Sequence, residues 1–349
     1  MKGTPDELCR VMGHRFVSLI VPVIITIVSV VWSCTYLSPL YLDGSDSTIH
    51  LVFNESGSSS IVDKAGASIL NALVIIGVIV LLTFIILALY KCNCGFVLYA
   101  WLMFSAASTF FLQAWLWVDL VFSLFQIPCD FVTMGIFILN FGVVGVLSLF
   151  YYSHPMLAQF YLIVVSVLIA WLLTAVPEWT TWCLLLGLAV YDIVAVLCPG
   201  GPLKMLIDSA NARNEPIPGF VYDSANTVAV AVERPSRGAA DGNGDASTSP
   251  LLRTLRNSTP FKLGLGDFIF YGLLVGRASF SGFVTWTFCL VAILSGMVGT
   301  LTILFLYKDS LRALPALPFS IFVGTGFFLL CLWGATVLES YVIKFTLVL

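Results

Sequence analysis

Long stretches of this chain carry almost no charge, and they recur at a steady length. Runs of about twenty apolar residues, enough for a helix to cross roughly 30 Å of hydrocarbon, lie at 16–37, 68–90, 95–118, 131–151, 157–176, 179–198, 282–306 and 319–338. A ninth, weaker run between Lys262 and Phe280 is interrupted by Asp267 and Arg277. Between the sixth and seventh runs the pattern changes. The segment "RPSRGAADGNGDASTSP" (234–250) is rich in Gly, Ser, Ala and Asp, a composition with too little apolar surface to fold alone. The pattern predicts an all-α membrane protein of nine transmembrane helices. Six spans fall in residues 1–198, a largely disordered loop in 199–261, and three spans in 262–349.

Charge tests the count. With nine spans, four basic segments fall on one side: the N-terminal tail (Lys2, Arg10, Arg15), the turn at Lys91, the 199–261 loop and the 307–315 loop. The long loop carries Lys204, Arg213, Arg234, Arg237, Arg253 and Arg256, and the last one Lys308 and Arg312. Basic residues collect on the cytosolic side, so the N-terminus is predicted to be cytosolic and the C-terminus lumenal or extracellular. The opposite loops hold Asp43, Asp46, Glu55, Asp119, Asp130 and Glu178. Eight spans would scatter the basic loops to both sides. The first run, from Phe16, is too long for the core of a cleaved signal peptide and reads as a signal anchor.

Composition agrees. Of the 349 residues 59% are hydrophobic and 10% charged, with mean hydropathy +1.01, against about 25% charged in soluble domains. Net charge of -3 and short basic patches argue against nucleic acid as a partner. The nine cysteines lie scattered, mostly inside apolar runs, as small packing residues would. Cys92 and Cys94, beside Lys91, are a weak palmitoylation signal. No metal site or cofactor is expected.

Two acidic residues stand inside the apolar runs. Asp192, in "CLLLGLAVYDIVAVLC" (183–198), lies seven residues before Pro199, and Asp267 lies five after Lys262. At the helical rise they sit about 10 and 8 Å below the same membrane face. Consecutive spans run antiparallel, so the two can face each other at one depth. Two close carboxylates do not easily both ionise. Sharing one proton makes one a base toward water and the other an acid toward a peptide carbonyl. Other hydrolytic chemistries lack parts: there is no HExxH, and His14, His50 and His154 fall outside the spans. Intramembrane aspartates also serve proton relays and cation paths in transporters. Spacing alone leaves a protease, a cation leak channel or transporter, and a scaffold open.

Three motifs bear on that choice. The stretches "YDIVAVLCPGGPLKMLIDSANARNEPIP" (191–218), "KLGLGDFIFYGLLVGRAS" (262–279) and "LPALPFSIFVGTG" (314–326) resemble the presenilin family, the catalytic subunits of γ-secretase. Signal peptide peptidases, a sister group of opposite topology, share the shorter motifs, but the extended "CPGGPL" and "NEPIP" text is similar to presenilins. By position, Asp192 beside Tyr191 and Asp267 after Gly264-Leu265-Gly266 match the family's catalytic aspartates. Pro315-Ala316-Leu317 matches its substrate-contacting PAL motif. Physical readings stand beside these matches. Gly264 and Gly266 allow close helix approach or a loosened backbone. Pro315 and Pro318 are expected to keep the start of the last span from being regular helix, freeing backbone groups for an extended substrate. Tyr191 either orients Asp192 through its hydroxyl or packs.

The resemblance implies an intramembrane aspartic endopeptidase acting on transmembrane helices of single-pass proteins after ectodomain shedding, as in Notch signalling. It implies membrane lipid as surroundings and nicastrin, anterior-pharynx-defective and presenilin-enhancer subunits as partners. It places the chain in endoplasmic reticulum and Golgi membranes, extending to endosomes and the plasma membrane. It also implies self-cleavage within the long loop, for which "VYDSANTVAVAVE" (221–233) is the least polar stretch.

The topology carries its own test. Asn54 (in Asn54-Glu55-Ser56) lies in a lumenal loop and is expected to be glycosylated. Asn257, in the second sequon, lies in the cytosol and should stay bare. A mobility shift on glycosidase treatment that is lost in Asn54→Gln is the expected result; a glycan on Asn257 overturns the nine-span reading.

Overall fold

A computed structural model of the chain describes residues 5–44, 61–92, 94–151, 154–197, 221–223, 262–306 and 316–348. Asn54, Asn257, Pro315 and all of the 199–261 loop except 221–223 lie outside the described residues. The first half comprises α1 (Pro5–Tyr36), α2 (Ser38–Gly44), α3 (Ile61–Lys91), α4 (Gly95–Ser108) and, after a π-helical turn at Thr109–Gln113, α5 (Ala114–Leu124). Then come α6 (Phe131–Phe150), α7 (Pro155–Leu173) and α8 (Glu178–Leu197). Strands β1 (Val221–Asp223) and β2 (Lys262–Gly264) precede α9 (Leu265–Ser279), α10 (Phe283–Leu306) and α11 (Ala316–Val348).

Among the described residues the fold is all-α apart from that ribbon. Among the described residues eight helical stretches are long and apolar enough to cross a membrane, α4 to α5 counting as one stretch from Gly95 to Leu124. They coincide with the eight strong apolar runs. The weak run takes another form: a three-residue strand leads straight into the fifteen-residue α9.

Local chemistry sets several helix ends. Asp130 caps α6, its carboxylate accepting from the Thr133 N–H at 3.2 Å and from Thr133 Oγ1 at 2.5 Å, as N-cap side chains do. Those bonds hold the Asp130 carboxyl below its ordinary range. His154 caps α7, Nδ1 accepting from the Met156 N–H at 3.3 Å, with Pro155 at the first helical position, where its missing N–H costs nothing. Gly282, with φ of 116°, makes the turn from α9 to α10 that other residues resist.

Because hydrocarbon is as apolar as the core, close packing rather than hydrophobic contrast brings membrane helices together. The centre of this bundle is α9. From Tyr271 to Gly276 every residue of it is buried, enclosed by α1, α7, α10 and α11. A Cβ on Gly272 would sit 3.1 Å from Ala170 Cβ and 3.2 Å from Val30 Cγ2, and one on Gly276 2.8 Å from Val30 Cγ1. Gly272-x-x-x-Gly276 is thus the smooth face on which α1 and α7 lie. The same device joins α10 to α11, where Gly296 meets the Ser320 backbone and Gly324 meets Ile293. The Trp182 ring of α8 stacks on Phe328 of α11, 4.0 Å between centroids.

Close approach therefore occurs about two to three turns beyond the positions expected to provide it. A Cβ on Gly264 or Gly266 would meet only ordinary contacts, at 3.7 and 3.8 Å. The far end of α9 is tied by Arg277, whose Nη1 donates to the Thr174 carbonyl at 3.3 Å while Nη2 lies 3.9 Å from Glu178 Oε2.

Gly276→Val should therefore push α9 off α1 and cost about 1–3 kcal/mol, read as a lowered unfolding midpoint in detergent. Gly266→Ala should leave that midpoint within about 0.5 kcal/mol of the parent. Equal stability of the two variants would contradict the packing described.

Candidate active site

Asp192 is placed by helical periodicity. Leu185, Ala189 and Asp192 occupy positions i, i+4 and i+7 of α8, one stripe of that helix. Leu185 and Ala189 belong to the central apolar cluster. Asp192 continues that stripe and is half-buried. Tyr191, next along, points about 100° away around the helix, because adjacent helical residues do not face each other. Its hydroxyl is buried without a hydrogen-bond partner among the described residues. No hydrogen bond from that hydroxyl to Asp192 is seen.

Asp267 is placed by a change of backbone. β2 ends at Gly264, whose extended conformation (φ -73°, ψ 150°) starts α9. Asp267, in the first turn, accepts a hydrogen bond from the Gly264 N–H at 3.2 Å. A carboxylate there also meets the positive end of the helix dipole. Leu265 packs toward the cluster around Phe110, Tyr161 and Val165. β1 pairs antiparallel with β2, Val221 opposite Gly264 and Asp223 opposite Lys262, so the ribbon ends three residues before Asp267.

The third motif arrives from α11. That helix starts at Ala316, so residues 316–318 are regular helix. This corrects the expectation of an irregular segment there. Pro318 lies in the first turn, where backbone N–H groups have no helical acceptor and proline is tolerated. Leu317, Ser320 and Ile321 are buried. Leu317 joins the cluster that also holds Phe268 and Tyr271, so the second and third motifs meet at one core, and Ala189 of the same cluster lies two residues before the first.

Asp192 and Asp267 stand on helices α8 and α9, which contact each other, within electrostatic reach of one another. Among the described residues neither is paired with a basic side chain, Arg277 being engaged with Glu178 at the other end of α9. A cavity of about 790 Å³ among α1, α5, α6 and α7 touches neither aspartate; Val21, Ile25, Phe141 and Phe160 are among its linings. Among the described residues no three His, Cys, Asp or Glu side chains stand together as metal ligands.

The family model named Presenilin matches residues 10–259 and 235–341, nearly the whole chain. The chain belongs to the presenilin family. It is 37% identical to Presenilin-B of Dictyostelium discoideum over 91% of its own length and 62% of that protein's. It is 33% identical to a presenilin-like protein of Arabidopsis thaliana, over 97% and 96% of the two chains. A presenilin of Caenorhabditis elegans is 31% identical over 93% of this chain and 87% of its own. In fold it resembles the solved structure of a presenilin family intramembrane aspartate protease, with TM-score 0.50 at 15% identity, covering 92% of this chain and 97% of that one.

One neighbour of the aspartates went unnoticed in the sequence. Tyr271 is buried to 0% exposure, four residues after Asp267 on the same face of α9. Its spacing in "GDFIFYG" was the available signal, hidden among other aromatic residues.

Tyr191 invites a stability test. Tyr191→Phe removes a buried hydroxyl that has no partner, which is neutral or favourable for folding. Its unfolding midpoint should match or exceed the parent's; a fall of more than about 1 kcal/mol would mean that the hydroxyl is bonded.

Proposed function

We propose that this chain is an intramembrane aspartic endopeptidase whose Asp192 and Asp267 share one proton. The observation that carries the reading is two half-buried carboxylates, on helices adjacent in sequence and within electrostatic reach of each other, with no cation paired to either among the described residues. Repulsion between two charges in an apolar setting is relieved when one proton serves both. The ionised member takes a proton from water as the water oxygen bonds to the peptide carbon. The protonated member gives its proton to the carbonyl oxygen. Collapse of the tetrahedral species returns that proton and sends the other to the departing nitrogen, which leaves as an amine. Gly264 supports the dyad through its N–H, and Leu265, Gly266 and Tyr191 through packing.

The substrate is a transmembrane helix, unwound locally because helical peptide bonds are shielded. Among the described residues β1 and β2 each have one edge without a strand partner, and an extended segment can add there by main-chain hydrogen bonds. Leu317, in the central apolar cluster, supplies the apolar wall. The ribbon also supports counting α9 as the seventh of nine spans. Fifteen helical residues span about 22 Å and three strand residues about 10 Å more, close to the bilayer core. Pairing with β1 satisfies the strand backbone where water is scarce.

The setting that fits is a γ-secretase-type complex with nicastrin, anterior-pharynx-defective and presenilin-enhancer subunits. It would act in endoplasmic reticulum, Golgi, endosomal and plasma membranes on single-pass stubs left by ectodomain shedding. Self-cleavage within 221–233 fits as well, since β1 holds the start of that stretch beside Asp267. It would yield fragments of six and three spans.

Asp192→Asn and Asp267→Asn, co-expressed with partner subunits and a single-pass stub, should each lower cleavage by about 10⁴-fold or more, the double variant no further, as residues acting as a unit behave. Loop self-cleavage should vanish in all three. Cleavage at the parental rate in either single variant ends the dyad reading.

A further inference from the structure

The packing around α9 buries a hydroxyl that the dyad chemistry above does not use. Tyr271 is 0% exposed. Long side chains on a helix lean toward its N-terminus, over the turn that precedes them, which for Tyr271 is the turn that carries Asp267. Its hydroxyl lies within electrostatic reach of both Asp267 and Asp192. It also lies close to Ser320 of α11, itself fully buried and three residues past Leu317. No hydrogen bond of good geometry reaches the Tyr271 hydroxyl among the described residues. A polar group so placed costs stability, and a phenylalanine would fill the same space without that cost. The other buried aromatic residue of this turn, Phe268, has no polar atom at all.

From this juxtaposition we infer that Tyr271 is a positioning residue for the dyad, its O–H donating toward the Asp267 carboxylate while Ser320 keeps the ring in place. The inference rests on the aspartic-protease reading above. The donor strengthens with the negative charge it meets, so it holds the ionised dyad in the orientation that activates water. It touches no part of the substrate, and it links α11, which carries the PAL residues, to the carboxylate of α9. Tyr191 has no such role: its hydroxyl is also buried without a partner, but its place beside Asp192 in sequence turns it to another side of α8.

The test uses the full chain with its partner subunits in membranes and a single-pass stub as substrate. Tyr271→Phe should lower kcat about 10- to 100-fold, as loss of a hydrogen bond to a charged group does, with KM within about twofold, as for an interaction that acts only in the reacting state. Its binding of a peptide isostere bearing a hydroxyl at the scissile position should weaken by a similar factor, and its unfolding midpoint should not fall. Ser320→Ala, which loosens the ring without removing the donor, should show a smaller loss of kcat. Parental kcat in Tyr271→Phe overturns the inference, and so does a loss of kcat matched by a lower midpoint, since that is packing alone. If the asparagine variants of the dyad are inactive while Tyr271→Phe is fully active, only the role of Tyr271 fails. If the asparagine variants cleave, the dyad itself fails.

Discussion

α9 can occupy the middle of the bundle only because Gly272 and Gly276 offer α1 and α7 no side chain. A Cβ at either position would press on Val30 at 3.2 Å or less, and in a core packed at crystal density nothing nearby can absorb it cheaply. Once α9 is central, its neighbours follow. α1 and α7 lie on its glycine face, and α10 and α11, themselves joined through Gly296 and Gly324, close the other side. The buried residues from Tyr271 to Gly276 are the hub to which the outer helices attach.

That position also explains how one short helix tolerates a carboxylate at one end and a guanidinium at the other. An ionisable side chain facing lipid is expensive. Here both are met by protein: Asp267 by the Gly264 N–H, and Arg277 by the Thr174 carbonyl, Glu178 and the Phe280 ring 5.3 Å from its guanidinium. Ten residues separate the two groups, about 15 Å of helix. Two polar ties with a glycine contact between them fix the axial position of α9, and hence the depth of Asp267.

The ribbon is the second consequence. Where β2 passes into α9 the backbone leaves helical geometry, and its polar groups need partners that lipid cannot give. β1, drawn from the long loop, supplies them. The chain thereby brings part of its own loop to the carboxylate end of α9, and it presents extended backbone beside an acidic group, which a regular helix could not do. α11 needs no comparable irregularity and begins as ordinary helix at Ala316.

The eight strong apolar runs were legible in sequence because each must satisfy the length and hydropathy that a bilayer demands of a lipid-facing helix, and the helices fall where those runs lie. The two aspartates stood out for the opposite reason: a charge in such a run is costly and therefore conspicuous. α9 was the faint element, since a helix surrounded by protein is released from the hydropathy rule and can carry Asp267 and Arg277. What the sequence could not decide was which glycines matter, as twenty-seven are present and only neighbours in space distinguish Gly276 from Gly266. Nor could it decide that residues 316–318 are helical or that Tyr271 is wholly buried. Apolar length and isolated charge are properties of a segment by itself. Close approach, strand pairing and the facing of side chains belong to pairs of segments distant in the chain, and only the folded bundle sets them.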